Sequence, residues 1–262
     1  MTVVTAPPLA CLRTGSGAPL VLLHGGVGSR NHWDANVPAL AGGFELIVPD
    51  LPGYGASPDV PADIPPDAYL GLVADWLHDI LGGRPFGLVG FSFGGVVAAA
   101  VTARMPSLVE RLTLLAPGGF GRPEGREVAS RRVPPGENSD LARREAAAFN
   151  LGQWMLSRIP DTDDPVVDQQ LANIARTRFD SRRISLADRL ADDLRSIRAP
   201  TQLVWGSDDR LAHPSVDARA ALCRAAKPDI EIHLLPGAGH WIQREAAGAV
   251  DALITRFHSG RS

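Results

Sequence analysis

Short apolar runs recur along the chain, and stretches with the spacing of helices separate them. Six runs predict β-strands, at residues 20–23, 45–48, 86–89, 111–115, 202–205 and 231–235. Most of these runs are continuously apolar, which is typical of strands buried on both faces of a parallel sheet. Residues 67–81 have apolar side chains at helical spacing, and residues 93–104 are small and apolar nearly all round. The alternation predicts an α/β fold with a mostly parallel, doubly wound sheet.

The alternation breaks between residues 118 and 198. This stretch opens with a loop rich in Gly, Pro and Arg at 118–136, and it continues with helical patterns at 141–156, 166–178 and 184–194. A helical insertion between two strands of one sheet would lie as a cap over the carboxyl edge of that sheet. We therefore expect an α/β core in two parts, residues 1–117 and 199–262, with a helical cap at 118–198 between them.

The composition excludes several classes of protein. Of the 262 residues, 45% are hydrophobic and 21% are charged, which is ordinary for a globular protein. The net charge of −3 gives no reason to expect nucleic acid or an anionic membrane as a partner. No apolar run approaches the roughly 20 residues that span a bilayer, and the N-terminus lacks the pattern of a secretory signal. We expect a cytoplasmic protein, as a monomer or a homodimer.

Two cysteines, Cys11 and Cys223, lie far apart, and neither has metal-ligand spacing around it. Isolated thiols fit a reducing compartment better than a disulfide does. The histidines and carboxylates also lack convincing spacing for a metal site. We expect neither a metal ion nor another cofactor.

The segment Gly90-Phe91-Ser92-Phe93-Gly94 joins an apolar run to a stretch that favours a helix. A serine between two such glycines, in a strand–turn–helix context, is typical of a nucleophile elbow. Side chains two residues before and after the serine would collide in so tight a turn. The serine then has a strained backbone, and its hydroxyl projects from the top of the sheet.

A serine hydroxyl needs an adjacent base to become a nucleophile, and the base needs an orienting group. Asp208 and Asp209 follow one predicted strand, and His240 follows the last predicted strand in a glycine-rich loop. Upstream, residues 24–28 close the first strong strand with a glycine-rich turn, which can present a backbone N–H toward the site. These residues predict nucleophilic catalysis by a serine, an acid and a histidine in that order.

The motifs and their order resemble the α/β-hydrolase superfamily over almost the whole chain apart from the cap. The resemblance rests on residues 24–26, 50–55, 90–95, 205–209 and 239–241. It implies Ser92 as the nucleophile, His240 as the general base and Asp209 as the orienting acid. The family spacing of three residues after Gly206 favours Asp209 over its neighbour Asp208.

The same resemblance implies that the backbone N–H groups of Gly26 and Phe93 stabilise the oxyanion of a tetrahedral intermediate. It makes His24 a structural residue near this loop. Candidate residues for an apolar substrate pocket are Phe91, Phe93, Leu151, Trp154, Met155 and Trp241.

Part of the chain is similar to one branch, the meta-cleavage-product hydrolases, which split a carbon–carbon bond in vinylogous diketo acids. Residues 22–28, 116–121 and 240–243 carry this similarity. The chain departs from the branch at Phe91, where the branch usually has Asn, and in the loop at 26–29, which lacks the expected Pro. The branch also uses a cap arginine near the substrate carboxylate, for which Arg176 or Arg178 is the candidate.

A serine at the elbow argues against dehalogenases and epoxide hydrolases, which the resemblance associates with an aspartate there. We expect hydrolysis of a small, partly hydrophobic carboxylic ester or lactone through an acyl-enzyme on Ser92. Carbon–carbon hydrolysis is the first alternative. A non-hydrolytic enzyme or a ligand receptor with the same fold is the second.

Overall fold

A single sheet runs through the middle of the molecule, whose computed structural model describes residues 8–125, 128–137 and 139–260. Its strands are β1 Cys11–Thr14, β2 Ala18–Leu23, β3 Phe44–Pro49, β4 Phe86–Phe91, β5 Val109–Leu115, β6 Thr201–Gly206 and β7 Glu231–Leu235. Their order in the sheet is β1-β3-β2-β4-β5-β6-β7. β1 pairs with β3 in antiparallel fashion, and all the other neighbours are parallel.

Helices cover both faces of this sheet. They are α1 Val37–Leu40, α2 Pro66–Leu81, α3 Phe93–Arg104, α4 Asp140–Trp154, α5 Pro165–Ala175, α6 Arg182–Ser185, α7 Leu190–Ser196, α8 Val216–Ala226, α9 Ile242–Glu245 and α10 Ala247–His258. α2, α3, α7 and α8 contact one another in series, and α1, α9 and α10 form a second group. β5 contacts α3 of the first group and α10 of the second. The predicted doubly wound, mostly parallel architecture is therefore confirmed.

All six predicted strands are confirmed, as β2 to β7. Nothing in the sequence marked β1, a strand of four residues whose side chains are exposed or half-buried. An edge strand this short shows neither a continuous apolar run nor a long alternation. Its place follows only from the antiparallel register, which pairs Cys11 with Pro49 and Thr14 with Leu46.

The predicted helix at 184–194 is wrong, because the chain is interrupted between α6 and α7. The backbone N–H groups of Arg189 and Leu190 donate to the carbonyl of Gly119, at 3.0 and 2.9 Å. An antiparallel bridge also pairs Phe120 with Asp188. Backbone groups that a continuous helix would use internally therefore bond to the loop after β5.

The helix predicted at 166–178 ends three residues earlier in the structure, since α5 ends at Ala175. The N–H of Arg178 donates instead to the carbonyl of Gly53, at 2.9 Å. The helices predicted at 67–81 and 93–104 are confirmed as α2 and α3, and the one at 141–156 as α4. None of the helices in the described ranges is long and apolar enough to cross a membrane.

The residues between β5 and β6, here called the β5–β6 segment (116–200), contain α4, α5, α6 and α7. α4 packs against α5, whereas α7 packs against α3 and α8, which flank the sheet. The last helix of the segment is thus part of the helical layer of the core. The division of the chain into 1–117, 118–198 and 199–262 stays a prediction.

Two histidines, His24 and His32, are buried in the core, and a third, His258, is half-buried at the end of α10. Burial lowers the pKa of His24 to about 4 and the pKa of His258 to about 3, and it holds the pKa of His32 well below its usual value. His258 Nε2 lies 2.8 Å from Thr113 Oγ1, on β5. At any pH between its folded pKa and the unfolded value of about 6.5, each histidine takes up a proton on unfolding. Folding stability is therefore lost as the pH falls through this window.

We expect the free energy of unfolding to fall as the pH is lowered from about 6.5 to about 4. His258→Gln removes one of the protons taken up on unfolding. It should reduce the slope of the free energy against pH by about 1.4 kcal/mol per pH unit. Urea unfolding at a series of pH values measures this slope, and an unchanged slope in the variant would contradict the assignment.

Candidate active site

Ser92 lies between the end of β4 and the first residue of α3. Its backbone has φ 54° and ψ −114°, a conformation that L-residues rarely adopt. A Cβ atom on Gly90 would lie 2.3 Å from the carbonyl oxygen of Gly94. A Cβ atom on Gly94 would lie 2.5 Å from the carbonyl oxygens of Leu23 and His24. The backbone approaches itself too closely at both positions for a side chain, which is the reason that the sequence places glycine there.

Four backbone hydrogen bonds hold Ser92 in its strained conformation. Its N–H donates to Leu115 O at 2.9 Å, and its carbonyl accepts from the N–H groups of Gly95, Val96 and Gly118 at 3.0, 3.3 and 3.1 Å. These partners belong to β5, to α3 and to the loop after β5. Strain of this kind costs about 1–3 kcal/mol and persists only where the surroundings determine it.

Two hydrogen bonds in series join Ser92 to His240 and Asp209. Ser92 Oγ and His240 Nε2 are 2.9 Å apart, and His240 Nδ1 and Asp209 Oδ2 are 2.7 Å apart. Asp209 follows β6 and His240 follows β7, so the three side chains meet at the carboxyl edge of the sheet. The bond to Asp209 favours the tautomer with its proton on Nδ1, which leaves Nε2 free to accept the proton of the serine.

The Asp209 carboxylate is fully buried and is bonded at both oxygens. Oδ2 also accepts from Trp205 Nε1 at 2.6 Å, and Oδ1 accepts from the backbone N–H of Leu211 at 2.8 Å. Burial raises the pKa of Asp209, but the charge of His240 and the hydrogen bonds from His240, Trp205 and Leu211 outweigh burial. The pKa of Asp209 therefore lies below its ordinary value, and the carboxylate stays ionised beside the imidazole.

Asp208, the alternative acid, has a different environment. Its side chain is exposed and accepts from Ser207 Oγ at 2.7 Å. Its backbone N–H donates to Ala238 O at 2.9 Å, which joins the loop after β6 to the loop after β7. The structure thus brings Asp209, and not Asp208, to His240.

Gly26 and Phe93, the candidate oxyanion residues, lie beside each other. Phe93 is the first residue of α3, where an α-helix has no internal acceptor for the N–H group. A Cβ atom on Gly26 would lie 3.8 Å from Phe93 Cβ and 2.5 Å from Ser181 Oγ, so a side chain has no room there. The donation of these two N–H groups to an oxyanion stays a prediction.

His24 holds the loop that contains Gly26. Its Nδ1 lies 2.7 Å from Gly25 O, and its Nε2 accepts from the N–H of Leu51 at 2.9 Å. Both ring nitrogens are therefore used within the protein, and the imidazole is fully buried. These bonds agree with the structural role that the resemblance implies for His24.

A cavity of about 370 Å³ opens on to Ser92 and His240. Its wall is mostly apolar and includes Pro117, Phe120, Trp154, Leu186, Trp205 and Leu211. Two arginines, Arg182 and Arg219, also line it, and the guanidinium of Arg182 is paired with Asp180 through two hydrogen bonds of 2.8 and 2.7 Å. Among residues 8–125, 128–137 and 139–260, no group of three or more His, Cys, Asp or Glu side chains is placed to hold a metal ion.

Of the predicted pocket residues, Trp154 lines this cavity. Phe91, Phe93 and Trp241 do not line it, because all three are buried in the core. The ring of Phe91 packs against the imidazole of His240, with 5.1 Å between the ring centroids. Their assignment as substrate-binding residues is therefore corrected: these aromatic rings belong to the core and not to the cavity wall.

Arg176 and Arg178, the predicted partners of a substrate carboxylate, also lie outside the cavity wall. Arg176 is exposed at the end of α5. Arg178 pairs through Nε with Asp59, and its Nη2 donates to Ser57 O at 2.6 Å. Its guanidinium is thus bound to the loop after β3, where it attaches the β5–β6 segment to the core.

Arg219, on α8, lines the cavity although no sequence pattern indicated it. Its Cζ lies 4.3 Å from the centroid of the Phe120 ring, and its Nη1 donates to Phe120 O at 3.2 Å. Phe120 in turn packs against Trp205, with 5.9 Å between the ring centroids. The sequence around Arg219 does not indicate that this residue lines the cavity. Its partner Phe120 belongs to a loop about a hundred residues earlier, so no local pattern joins the two.

Residues 20–253 match the alpha/beta hydrolase family. The chain belongs to this family. It is accordingly an enzyme with the alpha/beta hydrolase fold, and the hydrogen-bonded serine, histidine and aspartate described above are typical of such enzymes.

A 2-hydroxy-6-oxononadienedioate/2-hydroxy-6-oxononatrienedioate hydrolase of Cupriavidus pinatubonensis is 31% identical over 94% of this chain and 89% of its own. The dihydrolipoyllysine-residue acetyltransferase component of an acetoin cleaving system of Pseudomonas putida is also 31% identical, over 92% of this chain. This chain spans 63% of the length of that component. Among solved structures, the carboxylesterase CesB of Bacillus subtilis has the same fold, with a TM-score of 0.73 at 22% identity over 96% of this chain and 88% of that one.

Asp209→Asn should slow the labelling of Ser92 by a fluorophosphonate by about 10³- to 10⁴-fold, because the amide no longer favours the productive tautomer of His240. Asp208→Asn is the matched control, since it makes the same change on the neighbouring exposed residue. We expect it to label within about twofold of the wild-type rate. Equal losses in the two variants would contradict the assignment of Asp209 as the orienting acid.

Proposed function

We propose that this enzyme hydrolyses a small, partly hydrophobic carboxylic ester or lactone through an acyl-enzyme on Ser92. The observation that carries the proposal is the bonded series Ser92–His240–Asp209 at the wall of a mostly apolar cavity. The strained backbone of Ser92 adds support, because such strain costs stability and has no structural need. A serine nucleophile, a histidine base and an ionised acid together have the parts that acyl transfer requires.

In the first half of the reaction, His240 Nε2 takes the proton of Ser92 as Oγ attacks the carbonyl carbon of the ester. The carbonyl oxygen becomes an oxyanion, which the N–H groups of Gly26 and Phe93 stabilise. The intermediate collapses with loss of the alcohol, and His240 donates its new proton to the leaving oxygen. Asp209 remains ionised and stabilises the imidazolium throughout.

In the second half, a water molecule takes the place of the alcohol. His240 removes a proton from this water, whose oxygen attacks the acyl carbon and forms a second tetrahedral intermediate. Collapse releases the carboxylic acid, and the proton returns from His240 to Ser92 Oγ. The enzyme ends in its starting state, and the net reaction adds one water to the ester.

The cavity limits the class of ester. Its volume of about 370 Å³ fits a small molecule, and its wall combines the aromatic rings of Phe120, Trp154 and Trp205 with aliphatic side chains. A short or cyclic acyl group with one apolar face suits this wall. Long acyl chains exceed the cavity, and a polymer would not reach Ser92 within it.

We expect a fluorophosphonate to label Ser92, and p-nitrophenyl esters of short acids to be hydrolysed faster than long-chain triglycerides. Ser92→Ala should lose labelling and reduce turnover by about 10⁴- to 10⁶-fold. Peptide mapping and an absorbance assay for p-nitrophenol measure the two outcomes. A folded Ser92→Ala protein with the wild-type rate would overturn the proposal. Very slow turnover with tight retention of a ligand would favour the receptor alternative.

A second candidate is the hydrolysis of a carbon–carbon bond in a vinylogous diketo acid. The relative from Cupriavidus pinatubonensis is named for the hydrolysis of a dioate, which is a molecule with two carboxylates. In this chain, Arg219 lies on the cavity wall, and its guanidinium suits a carboxylate, whereas that of Arg182 is already paired with Asp180. This observation favours the second candidate, although the residues that would bind the carboxylate differ from those that the sequence suggested.

Arg219→Met separates the two candidates. If a diketo acid is the substrate, we expect its KM to rise about tenfold or more, since a charge-assisted hydrogen bond contributes about 1.5–3 kcal/mol. The KM of a neutral p-nitrophenyl ester should stay within about threefold. Arg178→Met is the matched control, because that guanidinium is bound outside the cavity. Equal changes of KM for the acid and the neutral ester would show that Arg219 only packs against Phe120.

A further inference from the structure

Glu245 lies at the end of α9, five residues after His240, and its carboxylate joins two separate parts of the chain. Its Oε2 accepts from the N–H of Gly239 at 2.7 Å. Its Oε1 accepts from the N–H and from the Oγ of Ser157, at 2.8 and 2.7 Å. One carboxylate therefore joins Gly239, the residue directly before His240, to Ser157 of the β5–β6 segment.

The partner of Glu245 belongs to a short stretch at the end of α4, here called the 152–157 turn. The residue directly after His240 bonds to the same turn, since the N–H of Trp241 donates to Met155 O at 2.7 Å. The backbone of the histidine loop is thus joined to this turn on both sides of His240, directly at Trp241 and through the Glu245 carboxylate at Gly239. A histidine held at both neighbours has its Cα position fixed, and the bond to Asp209 then fixes the ring.

The acid loop is attached to the 152–157 turn as well. Arg210, next to Asp209, donates through Nη1 to Gly152 O and through Nη2 to Ser157 O at 3.3 Å. The loops that carry the base and the acid are thus joined through one element of the β5–β6 segment. This element lies outside the sheet whose strand ends bear the two loops.

The contact with the histidine loop is also sterically tight. A Cβ atom on Gly239 would lie 2.8 Å from the backbone carbon of Leu156 and from the backbone nitrogen of Ser157, and 3.0 Å from Glu245 Oε2. Backbone therefore packs directly against backbone at this point. The Glu245 carboxylate accepts hydrogen bonds from both sides of this contact, from Gly239 in the histidine loop and from Ser157 in the 152–157 turn.

We propose that Glu245 is a positioning residue for His240, which fixes the histidine loop against the 152–157 turn so that the imidazole stays in line between Ser92 and Asp209. The proposal rests on the proposed function of His240 as the general base. A carboxylate with three donors makes stronger hydrogen bonds than a neutral acceptor would. A displacement of a catalytic group by about 1 Å can cost about 10²-fold in rate.

The chemistry of the three partners predicts how the variants will rank. All three groups that face Glu245 are donors, so the amide nitrogen of Glu245→Gln would confront a donor on one side and lose that bond. Glu245→Ala loses all three bonds. Ser157→Ala loses only the hydroxyl bond and retains the backbone N–H. We expect the loss of activity to increase in the order Ser157→Ala, Glu245→Gln, Glu245→Ala.

The test combines kinetics with a direct observation of the His240–Asp209 bond by proton NMR. We expect Glu245→Gln and Glu245→Ala to lower kcat for a p-nitrophenyl ester by about 10- to 100-fold, with KM within about threefold. The downfield resonance of the His240 Nδ1 proton, identified by its loss in His240→Gln, should broaden or disappear in both variants. A role in fold stability alone would lower the unfolding temperature but leave this resonance and kcat unchanged below that temperature.

Asp59→Asn is the matched control. It also converts a carboxylate to an amide in a contact between the β5–β6 segment and the core, but it does so at Arg178, which is bound to the loop after β3 and not to the histidine loop. We expect it to retain kcat and the resonance. If Glu245→Ala behaves like Asp59→Asn in both measurements, the proposal is overturned. If the wild-type protein neither hydrolyses esters nor reacts with a fluorophosphonate, the proposed function fails, while the resonance still tests the positioning of His240.

Discussion

The strained backbone conformation of Ser92 is the constraint on which the arrangement of the neighbouring strands and loops depends. Among the described residues, three other than glycine have positive φ, namely Val27 at 48°, Ser92 at 54° and Ala116 at 41°. They follow β2, β4 and β5, which are adjacent in the sheet. The chain thus leaves three neighbouring strands through strained turns, and the hydrogen bonds of Ser92 to the loop after β5 join two of these turns. Strain at one edge of the sheet is offset by the extensive burial of the strands themselves.

Two of the groups that keep the buried Asp209 carboxylate ionised belong to its own strand and loop. Trp205, within β6, donates its indole N–H to Asp209 and also forms part of the cavity wall. A single side chain therefore contributes to the charge state of the acid and to the surface that a substrate would contact. Since Phe120 packs between Trp205 and Arg219, the contact reaches from the acid to α8. The catalytic and binding parts of the site share a continuous aromatic layer.

Much of this arrangement could be predicted from the sequence, because local patterns encode it. The six long strands show as apolar runs, and the elbow shows as Gly90 and Gly94 on either side of Ser92, two positions where the structure leaves no room for a Cβ atom. The order of Ser92, Asp209 and His240 along the chain is likewise visible, and the structure brings the three together.

What could not be predicted depends on contacts between distant parts of the chain. The interruption between α6 and α7 arises from backbone bonds to the loop after β5, which no helical periodicity can reveal. The sequence predicts Phe91 and Trp241 in the pocket, because aromatic residues beside a catalytic motif suit that role. The packing of the core instead buries both rings outside the cavity wall. Arg219 lines the cavity beside Phe120, because α8 lies against the loop that contains Phe120.

The closeness of Gly90 to Gly94 has a consequence for how such an enzyme can diversify. A Cβ atom on Gly90 or Gly94 would lie 2.3 or 2.5 Å from a backbone oxygen, so neither glycine can be exchanged without moving the nucleophile. The cavity wall, in contrast, comes mainly from the β5–β6 segment and from the loop after β6. Selection for a new substrate can therefore change the residues of the cavity wall while the residues that perform the chemistry stay the same. Trp205 is a point where the cavity wall and the catalytic residues meet, because its ring lines the cavity while its indole N–H donates to Asp209, so a change there would alter substrate binding and chemistry together.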